Sequence, residues 1–115
     1  MESKIVYKIV SASEWELAKS KGVFEGAEID IQDGFIHFSA AHQVRETAAK
    51  HFSGREDLLL VEVDSAALGE QLKWEVSRGG DLFPHLYDNL SVDCVKRVSE
   101  LPLDDDGHHI FADLE

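Results

Sequence analysis

Three short segments hold the residues whose types and spacing could do chemistry. The first is Gly34-Phe35-Ile36-His37-Phe38-Ser39. Side chains alternate along a strand, so Phe35, His37 and Ser39 share one face while Ile36 and Phe38 take the other. An imidazole beside a hydroxyl and backed by an aromatic ring can hydrogen-bond a ribose or an amide. The plainer alternative is a half-buried histidine bonded to a backbone carbonyl, with Ser39 capping the next helix. In Leu72-Lys73-Trp74-Glu75-Val76-Ser77, the residues Leu72, Trp74 and Val76 make the core face and Lys73, Glu75 and Ser77 the opposite one. A carboxylate on a rigid strand can stabilise a developing cation or act as a base. It can equally be solvated, or paired with a neighbour such as Arg78. In Phe83-Pro84-His85-Leu86-Tyr87, proline restricts the residue before it to extended conformations. Phe83, His85 and Tyr87 should then project to one side, as a stacking wall for a planar ring or as the edge of a small core.

Other chemistries lack their patterns. His37, His42, His51 and His85 form no metal-binding spacing, and no cysteine pair exists, so no metal is expected beyond weak binding at His108-His109. No Gly-rich phosphate loop or dinucleotide fingerprint is present; Gly79-Gly80 has the spacing of neither. Lys and Arg number 11 against 23 Asp and Glu, a net charge of −12. Nucleic-acid affinity rests on cations that neutralise phosphates, so no nucleic acid is expected as partner, and the same charge disfavours an anionic membrane surface. The run Asp104-Asp105-Asp106 reads as a solvated turn. A single cysteine, Cys94, excludes an internal disulfide, and its valine neighbours make it a small core residue. Met1-Glu2-Ser3-Lys4 leads straight into a short apolar strand without the regions of a signal peptide. Together these predict a cytoplasmic protein.

The elements that must position these residues follow from the same sequence. At 115 residues the chain suits one domain, expected over 1–103, with an acidic and loosely ordered tail over 104–115 in which Leu114-Glu115 could be a vector remnant. Lys4–Val10 is β-branched and aromatic, a first strand. Ser11 and Glu14 have capping-box spacing for a helix over 12–21 that Gly22 ends. An irregular stretch and the turn Asp33-Gly34 follow. Ala41, Val44, Ala48 and Phe52 recur at helical spacing over 40–52. Strands are expected over 57–64, 71–77 and 92–99, with an extended stretch through 83–87. Two helices early in a strand-rich order predict an α+β class.

Laid out this way, the chain resembles the bacterial family called domain of unknown function 952. The likeness runs from Tyr7-Lys8-Ile9 to Val98 and is carried by Trp15, Asp33–Ser39, Gln43, Leu58–Val61, Leu72–Glu75 and Phe83–Tyr87. That family's fold is similar to the ADP-ribosyltransferase superfamily, especially its tRNA 2′-phosphotransferase branch. The resemblance implies two small, mainly antiparallel sheets with two helices packed early. Phe35-Ile36-His37-Phe38-Ser39 is similar to that branch's His-aliphatic-His-Leu-Ser motif, with Phe35 replacing the first histidine and His37 standing at the second. Tyr7-Lys8-Ile9 replaces the branch's His-Gly-Thr motif. The resemblance implies a small-molecule ligand, a nucleotide or a sugar, with NAD as substrate and no resident cofactor. In a transferase or glycohydrolase reaction at a ribose-linked bond, His37 and Glu75 would be the catalytic residues. Phe35, Ser39, Phe83, His85 and Tyr87 would bind the ligand. The departure at Tyr7-Lys8-Ile9 fits the alternative of a binding module that has lost turnover; a small acidic interaction protein is a third class. The sequence does not identify a protein partner.

Overall fold

Strand β1 (Ile5–Ser11) is mostly β-branched or aromatic, interrupted by Lys8, and both its faces are buried. Ile5, Tyr7 and Ile9 pack into a cluster with Val44, Ala48, Leu58, Leu60 and Leu101. Val6 and Val10 enter a second cluster with Trp15, Phe24, Ile36, Phe38 and Leu86. A one-residue slip would exchange the two faces, so the register is fixed by the packing. The computed structural model describes residues 4–111, without the side chain of Arg78. The expectations placed on Leu114-Glu115 and on Arg78 as a partner of Glu75 therefore lie outside the described residues.

Helix α1 (Ala12–Lys21) begins at the expected capping box. The Ser11 hydroxyl accepts from the Glu14 N–H (3.1 Å) and the Glu14 carboxylate from the Ser11 N–H (2.9 Å). Gly22 ends the helix at φ 85°, a left-handed conformation that favours glycine. Beyond it come β2 (Val23–Phe24), α2 (Glu28–Asp33), β3 (Ile36–His37) and α3 (Ala41–His51). The chain then runs through β4 (Leu58–Asp64), β5 (Leu72–Val76), β6 (Leu82–Leu86), β7 (Leu90–Ser91) and β8 (Val95–Glu100). The strands form an antiparallel β1-β4-β8 sheet, an antiparallel β3-β6-β5 sheet and a small β2-β7 ribbon. This is an α+β architecture of small antiparallel sheets with few helices. No helix among the described residues is long and apolar enough to cross a membrane.

Several expectations are corrected. The irregular stretch before Gly34 contains α2, so among the described residues there are three α-helices and not two, and the β2-β7 ribbon adds a third sheet. Ser39 does not cap α3: Ala40 holds the cap position, and the Gln43 side chain accepts from its N–H (2.8 Å). Val76 is 69% exposed, because β5 is an edge strand whose last residue runs past the core. The last strand starts at Val95, after a 3-10 turn over Val92–Cys94. The acidic segment is also tied down as far as Phe111. The Asp104 N–H donates to the His108 carbonyl (2.8 Å), the Gly54 N–H to the Gly107 carbonyl (3.2 Å), and Phe111 packs on the α3 side of the core.

Candidate functional site

The two larger sheets part at the residues that follow β3. Ile36 and His37 pair with Leu86 and His85 of β6, and the Phe38 N–H donates to the Pro84 carbonyl (2.9 Å). One residue later the partner changes: Ser39 exchanges both backbone bonds with Tyr7 of β1 (2.8 Å each). Adjacent strands that diverge in this way leave a gap between them. Here the gap is a cleft of about 480 Å³, lined by residues that include Lys8, His37, Ser39, Phe83 and His85.

His37 is braced by a buried carboxylate that the sequence does not reveal. Asp30 on α2 is 2% exposed. Its Oδ1 accepts from His37 Nδ1 (2.6 Å), from the His37 N–H (3.1 Å) and from Lys8 Nζ (3.0 Å). Its Oδ2 accepts from the Ala27 N–H and from Lys8 Nζ (2.8 Å each). Burial opposes the charge on Asp30, but the bonds from His37 and Lys8 outweigh it and hold the carboxyl down at about 2. Burial pushes the Lys8 ammonium below its usual range, although Asp30 pulls the other way. The second ring nitrogen of His37 meets Asp33 Oδ2 at 3.0 Å. Both ring nitrogens of His37 thus lie against carboxylates.

A second carboxylate braces His85. Glu75 Oε1 accepts from His85 Nδ1 (2.9 Å) and from the Tyr87 hydroxyl (2.6 Å). Glu75 and His85 are diagonal neighbours on adjacent strands, since Glu75 pairs with Phe83 and Lys73 with His85. The bonds from Tyr87 and His85 hold Glu75 below the usual carboxylate range, and the same bond to Glu75 raises Tyr87. The Phe35 ring stacks on His85 with centroids 4.2 Å apart and lies 5.1 Å from Tyr87. A carboxylate on Nδ1 fixes the ring's orientation and leaves Nε2 for another partner.

The structure thus brings the seven sequence-derived residues together and divides them. His37, Ser39, Phe83 and His85 line the cleft. Phe35, Glu75 and Tyr87 back the His85 ring; Phe35 and Tyr87 border a separate hollow of about 240 Å³ that also touches Asp30. The Ser39 hydroxyl lies 3.1 Å from that of Thr47, on α3. Lys8, Asp30 and Asp33 were missed as site residues. Only Asp33 carried a local signal, its place before Gly34, and that signal indicates a turn. Outside the cleft, Asp104, Asp106 and His108 offer ligand atoms within 4.8 Å of one another on an exposed turn. Asp104 Oδ1 already accepts there from the N–H groups of Asp106 (2.9 Å) and His108 (3.0 Å), which holds the turn without an ion.

Comparison with known proteins gives relatives of matching shape. Residues 9–98 match the family model described as a protein of unknown function (DUF952). The chain is similar to protein CC0527 from Caulobacter crescentus. Its crystal structure is 53% identical over 92% of this chain and 93% of that one, with a TM-score of 0.90. Its solution NMR structure is 54% identical over 90% of each chain, with a TM-score of 0.83. No curated protein matches the chain.

Proposed function

The chain belongs to the DUF952 family, and we propose that its cleft binds NAD or a related nucleotide or nucleotide sugar, in an ADP-ribosyltransferase-like arrangement of the two sheets. The observation that carries this reading is the pair of carboxylate-braced histidines at the parting of the sheets, beside Phe83 and above a cavity of about 480 Å³. Small-molecule sites are concave, mostly apolar and furnished with a few convergent polar groups, at volumes of roughly 300–1,000 Å³. Phe83 offers the ring on which a base would stack, and Ser39 and His85 offer groups for ribose hydroxyls. Transfer or hydrolysis at the ribose-linked bond fits the His85–Glu75 pair: Glu75 would act through His85 as a positioning residue, with His85 touching the ligand.

One observation favours a second reading, binding without turnover. Among the described residues, no carboxylate lines the cleft. A ribosyl transition state gathers positive charge, and a nearby carboxylate is the usual means of stabilising it.

A thermal-shift screen of NAD, ADP-ribose, nicotinamide mononucleotide and nucleotide sugars tests the binding. A ligand at 100 times its Kd stabilises the native state by about 2.7 kcal/mol. Chromatography of NAD incubated with the protein then separates the two readings. A screen in which none of these compounds raises the melting temperature overturns both.

A further inference from the structure

Lys8 is a buried cation with a donor to spare. Its side chain is 9% exposed on β1, yet it reaches the cleft wall. An ammonium carries three N–H donors. Asp30 occupies two of them, through Oδ1 (3.0 Å) and Oδ2 (2.8 Å), and no other described group bonds to the ammonium. Asp30 itself lines the neighbouring hollow and not the cleft. The rest of the polar wall is of the same kind. It consists of the hydroxyls of Ser39, Thr47 and Ser77 and the imidazoles of His37, His51 and His85. Among the described residues the wall bears Lys8 and no carboxylate; Asp30, Asp33 and Glu75 stand behind it, bonded to Lys8, His37 and His85.

We infer that Lys8 is the anion anchor of the cleft, its third N–H donating to a phosphate oxygen of the ligand. The inference rests on the nucleotide reading above and deepens it, because it makes the phosphorylated compound, and not the nucleoside, the ligand. Charge-assisted bonds to phosphate are shorter and about twice as strong as neutral ones. The net charge of −12 on the whole chain repels a long polyanion, which leaves a small phosphate ester as the anion this site suits.

Calorimetric titration with nicotinamide mononucleotide, nicotinamide riboside and inorganic phosphate tests the anchor. The wild-type protein should bind the mononucleotide about ten-fold or more tighter than the riboside, the factor a charge-assisted bond supplies. Lys8→Met alone strips buried Asp30 of its cation, so the double variant K8M/D30N, which buries neither charge, is measured beside the wild type. The double variant should bind both compounds alike. Equal wild-type affinity for mononucleotide and riboside overturns the anchor and leaves the nucleotide reading standing, as does a preference that survives in the double variant. Binding of inorganic phosphate that the double variant loses, with no binding of either nicotinamide compound, sustains the anchor and counts against the nucleotide. Binding of none of the three overturns the anchor.

Discussion

His37 and His85 are register partners across β3 and β6, with ring centroids 5.5 Å apart and planes at 69°. Each ring is held by a carboxylate from a different element, Asp30 on α2 for His37 and Glu75 on β5 for His85. The two imidazoles are therefore oriented independently, and loss of one carboxylate should disturb one ring. The supports also differ in burial: Asp30 is sealed in the interior, whereas the Glu75 side chain is 39% exposed.

That difference sets an order among variants. Asp30→Ala leaves Lys8 as an uncompensated buried cation and frees the Ala27 N–H, so it should cost about 3–5 kcal/mol of stability. His37→Ala removes one donor from a carboxylate that keeps Lys8 and two backbone N–H groups. Its cost should be about 1–3 kcal/mol, with the fold intact and nucleotide affinity reduced several-fold. Urea denaturation of both variants checks the order. A His37 variant less stable than the Asp30 variant would show that His37 is itself the structural centre.

Asp30 also predicts an acid limb of stability. Its carboxyl sits at about 2 in the fold against an ordinary 3.8. A depressed folded value contributes stability that is complete above the unfolded pKa and is lost as pH falls through the folded one. The gap corresponds to about 2 kcal/mol. The wild-type urea midpoint should fall between roughly pH 4 and 2, and Asp30→Asn should flatten that fall from a lower starting stability. Parallel curves for the two proteins would remove Asp30 from the account.

Gln43 supports the cleft from outside. It is 4% exposed, accepts from the Ala40 N–H, and donates to the Leu82 carbonyl (2.7 Å) and to Asp81 (2.8 Å). It thereby ties the start of α3 to the end of the β5-β6 hairpin. Gln43→Ala takes this partner from the buried Ala40 N–H and from the Leu82 carbonyl, and should cost about 1–3 kcal/mol. Faster amide exchange at Ala40 together with that loss checks it; unchanged exchange would mean that water replaces the side chain.

Part of this site was legible in the sequence, and the reasons are local. Alternation on either side of His37 and a proline beside His85 are strand signals that survive in three-dimensional context, so the facing of both rings could be derived. The capping box at Ser11 and Glu14 is equally local. Asp30 could not be found this way. It lies on a six-residue helix, too short for a clear period, and its burial depends on a lysine 22 positions earlier in the chain. The same long-range cause hides the role of Gln43, whose partners Asp81 and Leu82 lie at the start of β6. Ser39 misled because a serine before a helix is usually its cap. Here the backbone of Ser39 is committed to Tyr7 of β1 and its hydroxyl to Thr47. What the sequence withheld was pairing across elements, which propensity does not encode.

The Glu75–Tyr87 bond offers the sharpest test of the site, because it can be followed at both ends. Tyr87 is raised above its ordinary 10.0 by donating to Glu75, and Glu75 is lowered from its ordinary 4.5 by accepting from Tyr87 and His85. A raised tyrosine contributes below its unfolded pKa and loses that contribution as pH rises through the folded value. A depressed glutamate contributes above its unfolded pKa and loses it as pH falls through the folded value. The bond should therefore persist through neutral pH and break at both extremes. Ultraviolet titration of the phenolate should show Tyr87 ionising above 10 in the wild type and nearer its ordinary value in Glu75→Gln. Because Glu75 is partly exposed and lies outside the cleft, that variant should melt close to the wild type without ligand. If Glu75 positions His85 for general acid–base work, turnover of whichever nucleotide is hydrolysed should drop about 100-fold or more, and Tyr87→Phe should lower it less. If the cleft only binds, Glu75→Gln should shift the phenolate titration and weaken binding, with no turnover to lose. A large unliganded loss of melting temperature with unchanged affinity would reduce Glu75 to a fastening between β5 and β6 and end its part in the site.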